Sequence, residues 1–253
     1  MYAAERQQRI MSEARQAGRV EVTALADSLG VAAETIRRDL SALERRGSLR
    51  RVHGGAIPVE RLEVEPNLAT RFGRLADVKR RIAARALEHV PAGGSIVLDS
   101  GTTTQALAEL LPADAELTVV TNSVQIAGIL CGRPGISLYV VGGTVRPLTG
   151  ASVGIWAVNA LRDVVVDVAF VGTNGLSVAR GLTTPDQSEG VVKTAMVAAG
   201  RTAVVLADSS KAGDDHLHRF AGLDEVDVLV TDTDLPDDVA ADIRAAGPEV
   251  VTA

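Results

Sequence analysis

Aromatic residues are nearly absent: three Phe, two Tyr and one Trp make up 2% of the 253 residues. So few rings argue against the stacking platforms that grip single-stranded nucleic acid. A single cysteine, Cys131, cannot close an intrachain disulfide. It lies in an apolar helical stretch and is expected in the core of a chain that works in a reducing, cytoplasmic setting. No apolar run is long enough to span a membrane, and the first residues, MYAAERQQR, lack the apolar segment of a signal peptide. Neither a Gly-Lys-Ser/Thr phosphate loop nor a Gly-x-Gly-x-x-Gly fingerprint occurs, and there is no internal repeat. No cofactor is expected.

Lysine is missing from the first 58 residues, where ten Arg face seven acids for a net charge of +3. The whole chain carries −6, so the remainder carries −9. A basic module on an acidic body suits local contact with duplex DNA better than indiscriminate binding to polyanions.

That basic module is also the most patterned stretch. Val22, Leu25, Ala26 and Leu29 recur at helical spacing, with Thr23 as the expected N-cap. Gly30 ends the helix, and a second one over 33–46 aligns Ile36, Leu40 and Leu43 on one stripe. At about 100° per residue, Arg38 falls opposite that stripe, flanked by Ser41, with Thr35 to one side and Arg37 on the other flank. Arg38 and Thr35 therefore suit base edges in a major groove, and Arg37 a phosphate. Leu49–Gly55 then alternates like a hairpin strand closed by glycines, a wing that offers Arg50, Arg51 and His53 to the DNA backbone or minor groove. The plainer alternative is a solvated basic helix in some helical domain.

A first helix over 4–17 is expected to pack Ile10, Ala14 and Ala17 against this module. Residues 59–76 read as a charged linker. From 77 to 253 the pattern becomes helix, then strand and helix in alternation, with continuous apolar strands at 95–99, 117–121, 137–141, 168–172, 203–207 and 226–230. Helices are expected at 77–90, 103–111, 124–131, 186–199 and 237–246. Such strands indicate a parallel sheet covered on both faces, whose ligands bind beyond the strands' carboxyl ends. Polar residues gather there: Asp99, Ser100, Gly101, Thr102 and Thr103; Asn122 and Ser123; Gly142 and Gly143; Asn174 and Gly175; and Lys211 in Asp-Ser-Ser-Lys. Glycine, hydroxyls and a helix N-terminus together suit an anion. Spacing alone reads Glu189 and Lys193 as a surface pair one helical turn apart. His216 and His218 lack a convincing third metal ligand, so no metal is expected.

GRVEVTALADSLGV, TIRRDL, LERRG and LRRVHGGA strongly resemble the winged helix-turn-helix of DeoR-type bacterial transcription regulators, over about forty residues. The family usually has serine where this chain has Ala32, which costs the second helix an N-cap. DSGTTT, TNS, GTNG, the Glu189/Lys193 pair and DSSK resemble the same family's effector domain. That domain is similar to ribose-5-phosphate isomerase, with the Ser/Thr loop holding the phosphate of a sugar phosphate. The resemblance implies an α/β chain of three parts: a winged helix-turn-helix domain (1–58), a linker (59–76) and a parallel-sheet effector domain (77–253). It makes Glu189 and Lys193 pocket residues and implies a homo-oligomeric repressor of a carbohydrate operon, binding operator DNA and released by a phosphorylated sugar. The competing expectation is an isomerase-like enzyme tethered to DNA, with Glu189 as its base.

Overall fold

The computed structural model describes residues 3–45, 48–52, 54–58, 71, 73 and 75–253. His53 and most of the expected linker lie outside the described residues. Contacts divide the chain into two units, Met1–Val64 and Glu65–Ala253.

In the first unit, α1 (Ala3–Ala17) precedes the short strand β1 (Val20–Glu21), α2 (Val22–Leu29) and α3 (Ala33–Arg45), and then the hairpin β2 (Leu49–Val52) and β3 (Gly55–Pro58). The three strands form one sheet in the order β1-β3-β2. Ile10, Ala14, Leu25, Ile36, Leu40, Leu43 and Leu49 make its core. Ala17 does not join them: it ends α1 on the exposed side. Nor is Thr23 an N-cap. The cap position is Glu21, whose side chain makes no capping hydrogen bond. Instead the first helical N–H, on Val22, donates to the Gly54 carbonyl at 2.9 Å, so the hairpin does the capping. Gly30 adopts the left-handed conformation (φ 63°, ψ 38°). With Val31 N–H donating to Ala26 O at 3.1 Å and Gly30 N–H to Asp27 O, this is a Schellman stop that only glycine enters at no steric cost. α3 begins without a side-chain cap. The Ala32 carbonyl still accepts from Thr35 and Ile36.

The second unit begins with α4 (Ala76–Ala86), followed by β4 (Gly94–Leu98), α5 (Thr102–Leu110), β5 (Leu117–Thr121), α6 (Val124–Leu130) and β6 (Ile136–Val140). A ribbon, β7 (Thr144–Val145) with β8 (Ser152–Val153), leads to α7 (Ile155–Arg162) and β9 (Val166–Gly172). Next come β10 (Gly175–Ser177), β11 (Gly181–Thr184), α8 (Gln187–Ala199), β12 (Gly200–Leu206) and β13 (His218–Ala221). β14 (Val228–Thr231), α9 (Asp237–Ala245) and β15 (Glu249–Thr252) complete it. Seven strands form a wholly parallel sheet in the order β15-β14-β12-β9-β4-β5-β6. β10, β11 and β13 make a separate antiparallel sheet.

Alternation along each strand feeds two cores. Ile96 and Leu98 face α4, α5 and α6, where Ile82, Leu107 and Ile126 cover them. Val97 faces α7, α8 and α9, among Leu161, Val192, Met196 and Ile243. The result is a three-layer α/β arrangement, as continuous apolar strands require. Cys131 is exposed, contrary to its expected burial. It caps α6 one residue past Leu130, the last side chain that faces the sheet.

Candidate functional site

Two sets of residues bear on function, one in each unit. In the first, α3 presents Arg37 and Arg38 as exposed side chains and Thr35 as a half-buried one. Arg37 lies 3.3 Å from Glu34; among the described residues, no hydrogen bond or ion pair engages the Arg38 side chain. Arg50 is exposed on β2. Ser41 and Arg51 are turned towards each other, with Arg51 Nη1 donating to Ser41 Oγ at 3.2 Å. On the inner side, Asp39 is buried within α3. It accepts from Arg6 Nε and from Gln7 Nε2, the latter at 3.0 Å. Sequence pattern missed it, because its partners lie on α1, more than thirty residues away.

In the second unit the chain runs outward from β4 to β5 and β6, then returns to β9 on the other side of β4. Such a switch point opens a crevice beyond the carboxyl ends of β4 and β9. Asp99 follows β4 there, completely buried. Its Oδ2 accepts from the Gly172 N–H at 3.0 Å and from Lys193 Nζ. Lys193 also donates to the Gly172 carbonyl at 2.9 Å and lies 5.5 Å from the centre of the Phe220 ring. Burial raises the Asp99 pKa above its usual value, while the Lys193 charge and hydrogen bond pull the other way. Asp99 Oδ1 is buried with no hydrogen-bond partner among the described residues.

Glu189 and Lys193 are both 4% exposed, so the surface-pair reading from spacing does not hold. They share a face of α8 that meets the sheet instead of water, and each takes its own partner. Glu189 Oε1 accepts from Thr149 Oγ1 and Arg146 Nη1. Arg146 Nη2 reaches Asp186 Oδ2 at 3.2 Å. Asp186 in turn caps α8 through the Glu189 N–H at 3.0 Å. Arg146 and Thr149 thereby enter the site from the loop between β7 and β8; the sequence places Arg146 close to the polar end of the third strand but gives Thr149 no role.

The remaining residues line the strand ends. Ser100 N–H donates to Asn122 Oδ1 at 3.0 Å, and Asn122 Nδ2 to the Ser152 carbonyl at 3.3 Å, so Asn122 ties the loop after β4 to β8. Ser123 accepts the Ile126 N–H at 3.2 Å as N-cap of α6. Gly101 is the N-cap of α5, and Thr102 and Thr103 begin that helix, both buried. Asn174 Oδ1 accepts from Thr184 at 3.2 Å, and Gly175 opens β10 beside it. Gly142 and Gly143 follow the edge strand β6, two strands from β4. Lys211 is half-buried in the single turn after β12. Among the described residues, no three His, Cys, Asp or Glu side chains could hold a metal ion. His216 is buried, with Nε2 3.3 Å from the Asn174 carbonyl.

Two family models match this arrangement: the DeoR-like helix-turn-helix domain over residues 6–61 and the DeoR C terminal sensor domain over residues 75–233. The chain belongs to the DeoR family of transcriptional regulators. It is 38% identical to the "HTH-type transcriptional regulator GlpR" of Haloferax volcanii, over 99% of this chain and 98% of that one. It is 31% identical to a "Putative aga operon transcriptional repressor" of Escherichia coli O157:H7, over 98% and 93%. Ribose 5 phosphate isomerase A from Neisseria gonorrhoeae shares 19% identity at a TM-score of 0.40, covering 53% of this chain and 52% of that one. That likeness is partial and does not reach the site's chemistry. As a DeoR-family member the protein is a DNA-binding transcriptional regulator. None of the helices described is long and apolar enough to cross a membrane.

Proposed function

We propose that this DeoR-family regulator represses a carbohydrate uptake or catabolic operon and is released by a phosphorylated sugar held in the crevice between β4 and β9. The observation that carries this reading is the buried Asp99–Lys193 pair at the switch point, with Asp99 Oδ1 unpartnered among the described residues. A carboxylate oxygen that water cannot satisfy suits a sugar hydroxyl. Ser100, Gly101, Thr102 and Thr103, at the N-terminus of α5, suit the phosphate, where exposed N–H groups and the helix dipole favour an anion. Asn122, Ser123, Gly142, Gly143, Asn174, Gly175, Glu189 and Lys211 complete the proposed wall.

DNA contact is assigned to Thr35, Arg37, Arg38 and Arg50, with phosphates supplying affinity and base edges supplying discrimination. One short helix reads few bases, so a dimer or tetramer working in the cytoplasm on repeated half-sites is proposed. The effector must bind the low-affinity conformation better than the DNA-bound one, since only differential affinity moves the equilibrium. The chain is read as non-catalytic. Glu189, the base an isomerase would need, already has Oε1 engaged by Arg146 and Thr149.

Thermal unfolding with a panel of sugar phosphates tests the pocket. At about a hundred times its Kd, the true effector stabilises the protein by about 2.7 kcal/mol, and the unphosphorylated sugar does not. Stabilisation that persists unchanged in Asp99→Ala removes the pocket from this crevice.

A further inference from the structure

β2 is an edge strand of the three-stranded sheet, and from that edge Arg51 meets α3 at three levels. Its backbone N–H donates to Glu44 Oε1 at 3.0 Å. Its Nη1 donates to Ser41 Oγ at 3.2 Å and to the Arg37 carbonyl at 3.3 Å. Ser41 Oγ donates to that same carbonyl at 2.9 Å. The span from Glu44 to Arg37 is two turns of helix, about 10 Å along the axis. Arg51 Nε is buried and has no partner among the described residues, whereas a group committed to phosphate keeps its donors open to solvent. A planar guanidinium that holds two acceptors fixes both the distance and the rotation of what it holds. On the opposite flank, Asp39 ties α3 to Arg6 and Gln7 of α1. The helix is therefore held from both sides, and on a helical wheel Arg38 falls between the two restraints.

We propose that Arg51 and Ser41 are positioning residues: they brace α3 against the wing and set the aim of Arg38 and Thr35 at base edges. They are not DNA contacts themselves. This rests on α3 being the recognition helix, and the experiment separates the two ideas.

The full-length chain is titrated, by fluorescence anisotropy across a salt series, onto two labelled duplexes: the region upstream of its own gene and a random sequence of equal length. In Arg51→Gln and in Ser41→Ala the ratio of upstream to random affinity falls about tenfold, while the salt slope on the random duplex stays that of wild type. Arg50→Ala does the reverse, losing about 0.9 from the slope and keeping the ratio. Combining Arg51→Gln with Ser41→Ala costs no more than Arg51→Gln alone, because loss of the guanidinium already removes its bond to Ser41. Arg51→Lys, which keeps the charge but not the planar Nη1 whose two N–H directions are fixed, fails to restore the ratio. A slope reduced by about 0.9 in Arg51→Gln with the ratio intact would make Arg51 a phosphate contact and overturn the proposal. Full rescue by Arg51→Lys would do the same. Ser41→Ala introduces the best helix former and guards against a folding failure at Arg51. Equal binding of wild type to both duplexes would instead sink the recognition-helix reading itself.

Discussion

Lys193→Met would leave Asp99 in the crevice without its counter-charge, and the structure bounds the cost. Asp99 is completely buried, so its carboxyl takes up a proton in preference to staying ionised alone. Holding it neutral at pH 7 against an unfolded value of 3.8 costs at most about 4.4 kcal/mol, at 1.36 kcal/mol per unit. The wild-type chain already bears part of this, since its Asp99 pKa is itself raised by burial. A net loss of about 3 kcal/mol is expected, at the lower end for breaking a buried pair. In a unit of this size it lowers Tm by about 6–12 °C. The pH dependence carries a sign. A carboxyl whose folded pKa lies above its unfolded value contributes stability below the unfolded value, and that contribution disappears as pH rises. Removing Lys193 raises Asp99 further, so the deficit of the variant is small near about pH 4 and grows towards about pH 8. Urea unfolding followed by circular dichroism at several pH values measures it. Asp99→Asn combined with Lys193→Met recovers most of the loss, because both charges are gone. If Lys193→Met matches wild type at neutral pH, or its deficit is the same at every pH, the buried-pair reasoning is wrong.

Arg38→Ala abolishes discrimination between operator and random DNA, as competition binding will show; equal losses on both would refute its base-edge role. Asp39→Ala removes the acceptor shared by Arg6 and Gln7 and destabilises the first unit by about 1–3 kcal/mol in denaturant unfolding of the full chain; no change in that unit's transition would refute the role. Gly175→Ala places a Cβ against the Asp214 carbonyl and 2.7 Å from Thr183 Oγ1, and lowers stability by about 1–3 kcal/mol in chemical denaturation. A neutral substitution there would mean that the β10 turn yields more readily than its packing suggests.

The sheet was legible because six of its strands are runs of apolar residues long enough to read alone, such as Leu117–Thr121. β15 was not: Glu249–Thr252 offers two apolar residues between polar ends. α7 also escaped, since its N-cap is Gly154, which has no side chain to announce a start. At the site, residue types at strand ends pointed to Asp99 and its neighbours. Partnership was invisible. Glu189 and Lys193 sit at the spacing of an ion pair, yet each binds a group more than forty residues distant in sequence. Arg146 and Thr149 belong to a loop whose place beside α8 depends on tertiary packing. The same holds for Ser41 and Arg51, where a helical wheel marks the polar face but not that the wing reaches back to it.

The central claim is that DNA binding in the first unit answers to a sugar phosphate held in the second. Anisotropy of a labelled upstream duplex, bound by the full-length chain and titrated with sugar phosphates, tests it directly. Release by one phosphorylated sugar, absent with the unphosphorylated form and lost in Asp99→Ala, is the predicted result. Binding that no sugar phosphate alters would contradict it.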